Sequence, residues 1–135
     1  MRKMEKVIEE MVNRAEKVII RDYSNYCVWR CHNGGQYSFS THFVRLDEDR
    51  DKWAVYYGTS SEFDYCSVFG EFRRCEDCCY WDGEECTAEV ETVKTEEVIK
   101  AVEEAMDNEY CEVEIDGRTV SFGEIGCYEC RKGLH

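Results

Sequence analysis

Ten cysteines in 135 residues restrict this chain to two kinds of fold: one stapled by disulfides, or one gathered around a thiolate-bound metal. They stand at 27, 31, 66, 75, 78, 79, 86, 111, 127 and 130, an even number that would suit a secreted disulfide framework. The N-terminal segment argues against secretion, because Glu5, Glu9, Glu10 and Arg14 interrupt it where a signal peptide would be apolar. Metal is then the better reading of the spacing. Cys75 with Cys78 and Cys127 with Cys130 are Cys-x-x-Cys pairs, the separation at which a single turn presents two thiolates to a tetrahedral ion. Thiolates in such numbers favour Zn²⁺ or an iron–sulfur cluster over hard cations, and zinc is the expected cofactor.

Around the first pair the chain reads Cys75-Glu76-Asp77-Cys78-Cys79-Tyr80-Trp81-Asp82-Gly83-Glu84-Glu85-Cys86. Asp82-Gly83 is a turn signal that can bring Cys86 back to the same metal. Five candidates, Cys75, Cys78, Cys86, Cys127 and Cys130, therefore compete for four places, and Cys79 leaves open which of two adjacent thiols ligates. This stretch resembles the Cys-x-x-Cys-x-Tyr-Trp-x-x-x-x-Cys zinc knuckles of small phage and mobile-element proteins. That resemblance implies metal binding, with closure by a further cysteine downstream. The other cysteines, especially Cys27, Cys31 and Cys111, fall in strand-like patterns and read as small buried hydrophobes.

Hydrophobic periodicity gives the rest of the fold. Met4, Val7, Ile8, Met11, Val12, Ala15, Val18 and Ile19 recur at helical spacing and predict an amphipathic helix from about Lys3 to Ile20 lying on a sheet. The period then changes to two. Strands are expected around Tyr26–Cys31 and Tyr37–Val44, joined by Asn33-Gly34-Gly35, and a third at Trp53–Tyr57 completes an antiparallel meander. Gly58 to Asp64 reads as a loop and Tyr65 to Phe72 as a strand. After the cysteine-rich stretch come a strand at Thr87–Val93 and a helix at Glu96–Asp107 capped by Thr95. A final hairpin, Tyr110–Ile115 and Arg118–Phe122, turns at Asp116-Gly117. The expectation is one α+β domain spanning 1–135: an N-terminal helix on an antiparallel sheet, a zinc knuckle, a second helix and a C-terminal hairpin.

Charge narrows the function classes. The formal net charge is −13, and all of the excess lies between Asp82 and Glu129, where 16 acidic residues face only Lys94, Lys100 and Arg118. Such a field repels nucleic acid and anionic membrane and steers the chain towards basic partners. No run reaches the ~20 apolar residues of a membrane span, and the expected location is cytoplasmic, in the host cell if the chain is phage-encoded.

No enzyme is expected. Cys31-His32, with the later His42, could be read as nucleophile and base, but neighbours on a strand point to opposite faces, so Cys31 and His32 do not easily meet. Cys127-Tyr128-Glu129-Cys130 lacks the strand-to-helix context of a redox motif and is set among acids. The expected role is a non-enzymatic acidic protein whose carboxylates satisfy Lys and Arg that normally hold phosphates. It is similar in style to phage-derived anti-CRISPR and anti-restriction inhibitors, nucleic-acid mimics that occupy the groove of an effector nuclease. Glu103, Glu104, Asp107, Glu112, Glu114 and Asp116 are the candidate contacts. The alternative is a zinc-stabilised accessory or regulatory domain that binds protein through exposed aromatics, with Tyr80 and Trp81 as anchors.

Overall fold

The computed structural model describes residues 3–24, 38–59 and 65–124. Within them the order is α1 (Lys3–Arg14), β1 (Lys17–Asp22), β2 (Phe39–Arg45), β3 (Lys52–Thr59), β4 (Tyr65–Cys66), β5 (Glu71–Phe72), a 3-10 turn at Cys75–Asp77, β6 (Thr92–Lys94), α2 (Thr95–Met106), β7 (Cys111–Ile115) and β8 (Arg118–Ser121). The fold is α+β. Six strands form an antiparallel sheet in the order β6-β3-β2-β1-β7-β8, and β4 and β5 form a separate two-stranded hairpin.

The first helix ends six residues short of the predicted Ile20, and Val18 and Ile19 belong to β1 instead. Periodicity alone misassigns this boundary because Ala15, Val18 and Ile19 continue the helical spacing. What ends the helix is distant in sequence. The Arg45 guanidinium donates to the carbonyls of Val12 (2.8 Å), Asn13 (3.2 Å) and Ala15 (2.7 Å), satisfying acceptors a terminating helix leaves open. Asp116 accepts the amides of Glu16 and Lys17, both at 2.9 Å, as the chain enters β1. The run Val18-Ile19-Ile20 then follows its β-branched preference for an extended backbone.

β1 joins β2 and β3 in the meander, with Val18 opposite Phe43 and Phe43 opposite Val55. The predicted strand at Tyr26–Cys31, its turn and Tyr37 lie outside the described residues. Gly58 and Thr59, read as loop, extend β3. Tyr65–Phe72 is a short hairpin and not one strand. The strand expected over Thr87–Val93 is confined to Thr92–Lys94. Thr95 is the first residue of α2 and not its cap; Lys94 holds that position, and its amide donates to Glu97 Oε2 at 2.7 Å.

From β6 the chain crosses the meander through α2 to β7 on the other side of β1. Both helices therefore lie on one face of the sheet. Ile8 and Val12 of α1, Ala15 just after it, and Val98, Val102 and Ala105 of α2 meet Val18, Phe43, Trp53, Val55, Val113 and Ile115. Val12, Val18, Trp53, Val98, Val102 and Val113 are fully buried, each contributing about 1.5–3 kcal/mol of hydrophobic stabilisation. Val7, expected in this core, is 57% exposed: the buried stripe runs through Ile8 and Val12 to Ala15, and Val7 lies about 100° to its side. Trp53 is locked in place by its Nε1 donating to Thr95 Oγ1 (2.9 Å) and by the Arg45 guanidinium 4.2 Å above its ring. The C-terminal hairpin turns as predicted, with positive φ at Asp116 (49°) and Gly117 (83°), the type I′ signature.

Candidate functional site

Three regions carry the chemistry singled out by sequence: the acidic end of α2, the helix-free face of the sheet and the cysteine-rich segment. At the C-terminal end of α2, Glu103, Glu104 and the C-cap residue Asp107 are all exposed. Their i, i+1, i+4 spacing sets them on one ridge of the last turns, and the last turn contains no basic residue. The negative end of the helix dipole is here, so these carboxylates sit where helix stability would prefer Lys or Arg, an unfavourable placement of about 0.3–1 kcal/mol each. Beyond the ridge, Glu104, Asp107, Asn108, Glu109 and Tyr110 line an open concavity of about 520 Å³.

The remaining predicted acidic contacts are elsewhere. Cys111, Val113 and Ile115 turn into the core, so Glu112 and Glu114 occupy the opposite, helix-free face. Arg21 bridges them, with Nη1 3.1 Å from Glu112 and 3.3 Å from Glu114, and the Tyr23 hydroxyl also donates to Glu112 at 3.3 Å. Asp116 is committed to the α1–β1 junction described above. The six carboxylates thus form one exposed ridge, one ion-paired cluster and one structural turn.

On the same helix-free face, Ser40 Oγ lies 2.9 Å from His42 Nε2. Gly58 faces them across the β2–β3 pair, and a Cβ there would come within 2.8 Å of Ser40 Oγ. Burial lowers the His42 pKa, Lys17 and Arg21 lower it further, and Glu114 opposes them. Sequence reasoning missed the Ser40–His42 contact, although Ser-x-His on a strand is the spacing that puts both side chains on one face. Among the described residues no carboxylate is seen hydrogen-bonded to His42 as the orienting third group of a nucleophilic triad would be.

In the cysteine-rich segment, Asp82-Gly83 makes the predicted turn. Gly83 has φ 107°, Asp82 Oδ1 accepts the amides of Glu84 and Glu85 at 2.8 Å each, and Trp81 bridges back to Cys86. Those two amides hold the Asp82 carboxyl below its ordinary range. Cys66, Cys75, Cys78 and Cys86, together with Arg73 and Trp81, line a small, partly open pocket of about 10 Å³. Cys79 is exposed and does not line it. The backbone amide of Tyr80 and the Arg73 guanidinium both donate to the Cys78 sulfur and lower its pKa. Among the described residues, no three His, Cys, Asp or Glu side chains are already assembled around one metal position. Cys127 and Cys130 lie outside the described residues. Cys66, which the sequence did not single out, is 8% exposed and its sulfur accepts the Phe69 amide at 3.3 Å.

The two aromatic candidates differ in setting. Tyr80 is 44% exposed and stacks on Phe69, itself 41% exposed, with ring centroids 5.4 Å apart. Trp81 is half-buried against the cysteine cavity. Cys111 is a buried strand residue whose thiol pKa is pushed up by that burial, as expected of a small hydrophobe. Among the described residues no helix is long and apolar enough to cross a membrane. Comparison with protein-family models, with curated proteins and with solved structures gave no match.

Proposed function

We propose that this protein is a non-enzymatic binder of a basic partner, and that its contact surface is the acidic C-terminal end of α2. The observation that carries this reading is the exposed ridge Glu103-Glu104-Asp107 at the negative pole of the helix, without a basic residue in the last turn. Carboxylates placed against the helix dipole do not serve the helix. A Lys- or Arg-rich surface docked there would relieve the repulsion among them and gain from the dipole as well. Glu104, Asp107 and Glu109 also rim the adjoining concavity, which can accept the end of a long basic side chain.

The partner class that fits best is a nucleic-acid-binding protein whose groove already presents Lys and Arg at phosphate spacing, an effector nuclease of a defence system among them. Glu112 and Glu114 are half-neutralised by Arg21 and add less to this contact than the α2 ridge. The exposed Phe69–Tyr80 stack supports a second reading, in which an accessory domain docks through aromatics at the cysteine-rich segment.

A competition assay separates the two. Purified nucleic-acid-binding nucleases with basic grooves are loaded with labelled duplex, and the protein is titrated in at low and at raised salt. Displacement that weakens steeply as salt rises supports the acidic surface. Binding that ignores salt and is lost on Tyr80→Ala supports the aromatic one.

A further inference from the structure

We infer that Cys66, Cys75, Cys78 and Cys86 form a tetrathiolate zinc site, with Cys66 on the β4–β5 hairpin as the fourth ligand. The spacing is Cys-x8-Cys-x2-Cys-x7-Cys. Its central pair is the close-spaced turn of structural zinc sites, and the outer two thiols come from short excursions on either side.

Three observations carry the assignment. The first is convergence: of the described cysteines these four alone line one small, partly open pocket, although their sulfurs are not assembled around one metal position as they stand. Cys75 and Cys86 are exposed, so rotation about χ1 can swing their sulfurs inwards to complete a tetrahedron.

The second is the charge environment. Four thiolates around Zn²⁺ carry a net charge of −2, which burial penalises unless donors surround the sulfurs. Such donors are present. The Phe69 amide reaches Cys66 Sγ at 3.3 Å, the Tyr80 amide reaches the Cys78 sulfur, and Arg73 Nη1 reaches Cys78 Sγ at 3.5 Å. Arg73 is held in this position by its ion pair with Glu71 and by stacking 4.6 Å over Phe69.

The third is the shortage of other stabilisation. Between Tyr65 and Glu91 regular structure consists of two two-residue strands, one 3-10 turn and an isolated bridge, and Cys66 is the sole buried residue among those whose burial is described. A hairpin of that size does not hold itself together in water. A metal crosslink supplies the missing stability, because binding energy at such sites is folding energy.

The test uses the full chain, reduced, stripped by chelator and titrated with Co²⁺ and then Zn²⁺. Wild type is expected to show the intense visible bands of tetrahedral cobalt bound by four thiolates, bleached by one equivalent of zinc. Cys66→Ser should lose the four-thiolate spectrum and weaken metal binding by more than about tenfold, a ligand mattering more than its outer-shell partners. Cys79→Ser and the double variant C127S/C130S should keep both spectrum and affinity. Thiol alkylation of the wild type, read by mass spectrometry, avoids reliance on a folded variant: zinc should protect Cys66, Cys75, Cys78 and Cys86 and leave Cys79 reactive. Failure of the wild type to bind either metal would overturn the assignment. So would an unchanged spectrum in Cys66→Ser, loss of it in C127S/C130S, or protection of Cys79 in place of Cys66.

Discussion

Replacing Thr95 by Val tests how the two layers are joined. Trp53 is fully buried, and its indole N–H has Thr95 Oγ1 as acceptor at 2.9 Å. Valine keeps the branched shape but removes the acceptor, leaving a buried donor unpartnered at about 1–3 kcal/mol. The hydroxyl's second contact, to the Asp51 carbonyl at 3.4 Å, is long and adds little. Because the lost partner is the indole, the effect must depend on Trp53. In a Trp53→Phe background the same Thr95→Val change should cost less than about 0.5 kcal/mol, giving a coupling of about 0.5 kcal/mol or more. Urea unfolding of the four proteins at fixed metal content, followed by far-ultraviolet circular dichroism, measures this directly. Trp53→Phe will itself be destabilising, since it loses packing volume and the Arg45 stack, but the cycle removes that contribution. Equal cost of Thr95→Val in both backgrounds would refute the reasoning and place its effect in the start of α2 instead.

Arg45→Met keeps much of the aliphatic stem over Trp53 but removes the guanidinium donor from the carbonyls of Val12, Asn13 and Ala15, of which Val12 keeps the Ala15 amide; a loss of about 1–3 kcal/mol is expected in thermal or urea unfolding. Stability should also depend on pH through His42, whose pKa is lowered in the folded state, first by burial and then by Lys17 and Arg21. The unfolded chain then binds the proton more readily, so this contribution is complete above the ordinary value of about 6.5 and is lost as pH falls through it towards the folded pKa. The urea midpoint should fall between pH of about 7.5 and about 5.5, and His42→Gln should flatten that fall.

Local pattern carried the second helix and the last hairpin. Val98, Val102 and Ala105 repeat at helical spacing, and Asp116-Gly117 admits few turns other than the one seen. The boundary between α1 and β1 was not legible, because Val18 and Ile19 fit both periods and the deciding contacts come from Arg45 and Asp116, 30 and about 100 residues away. The cysteine cluster was half legible. Cys75, Cys78 and Cys86 declare themselves by spacing, whereas Cys66 stands alone in sequence and joins them only through the β4–β5 hairpin and the path of the chain through Arg73. The acidic surface shows the same limit. Composition located the charge in one segment, but strand alternation sends Glu112 and Glu114 to Arg21 on the far face, and Asp116 is consumed by the amides it accepts. Only Glu103, Glu104 and Asp107 stay together on an exposed ridge.

Charge reversal on that ridge is the most direct test of the proposed function. Glu103, Glu104 and Asp107 changed together to Lys should abolish displacement of nucleic acid from the partner's groove, with folding and metal content intact, since all three are exposed and away from the core. Glu9, Glu10 and Glu48, also exposed, provide the control: the same reversal there changes net charge equally and should leave most of the binding in place. Full binding by the α2 variant, or equal loss from both triplets, would contradict the account.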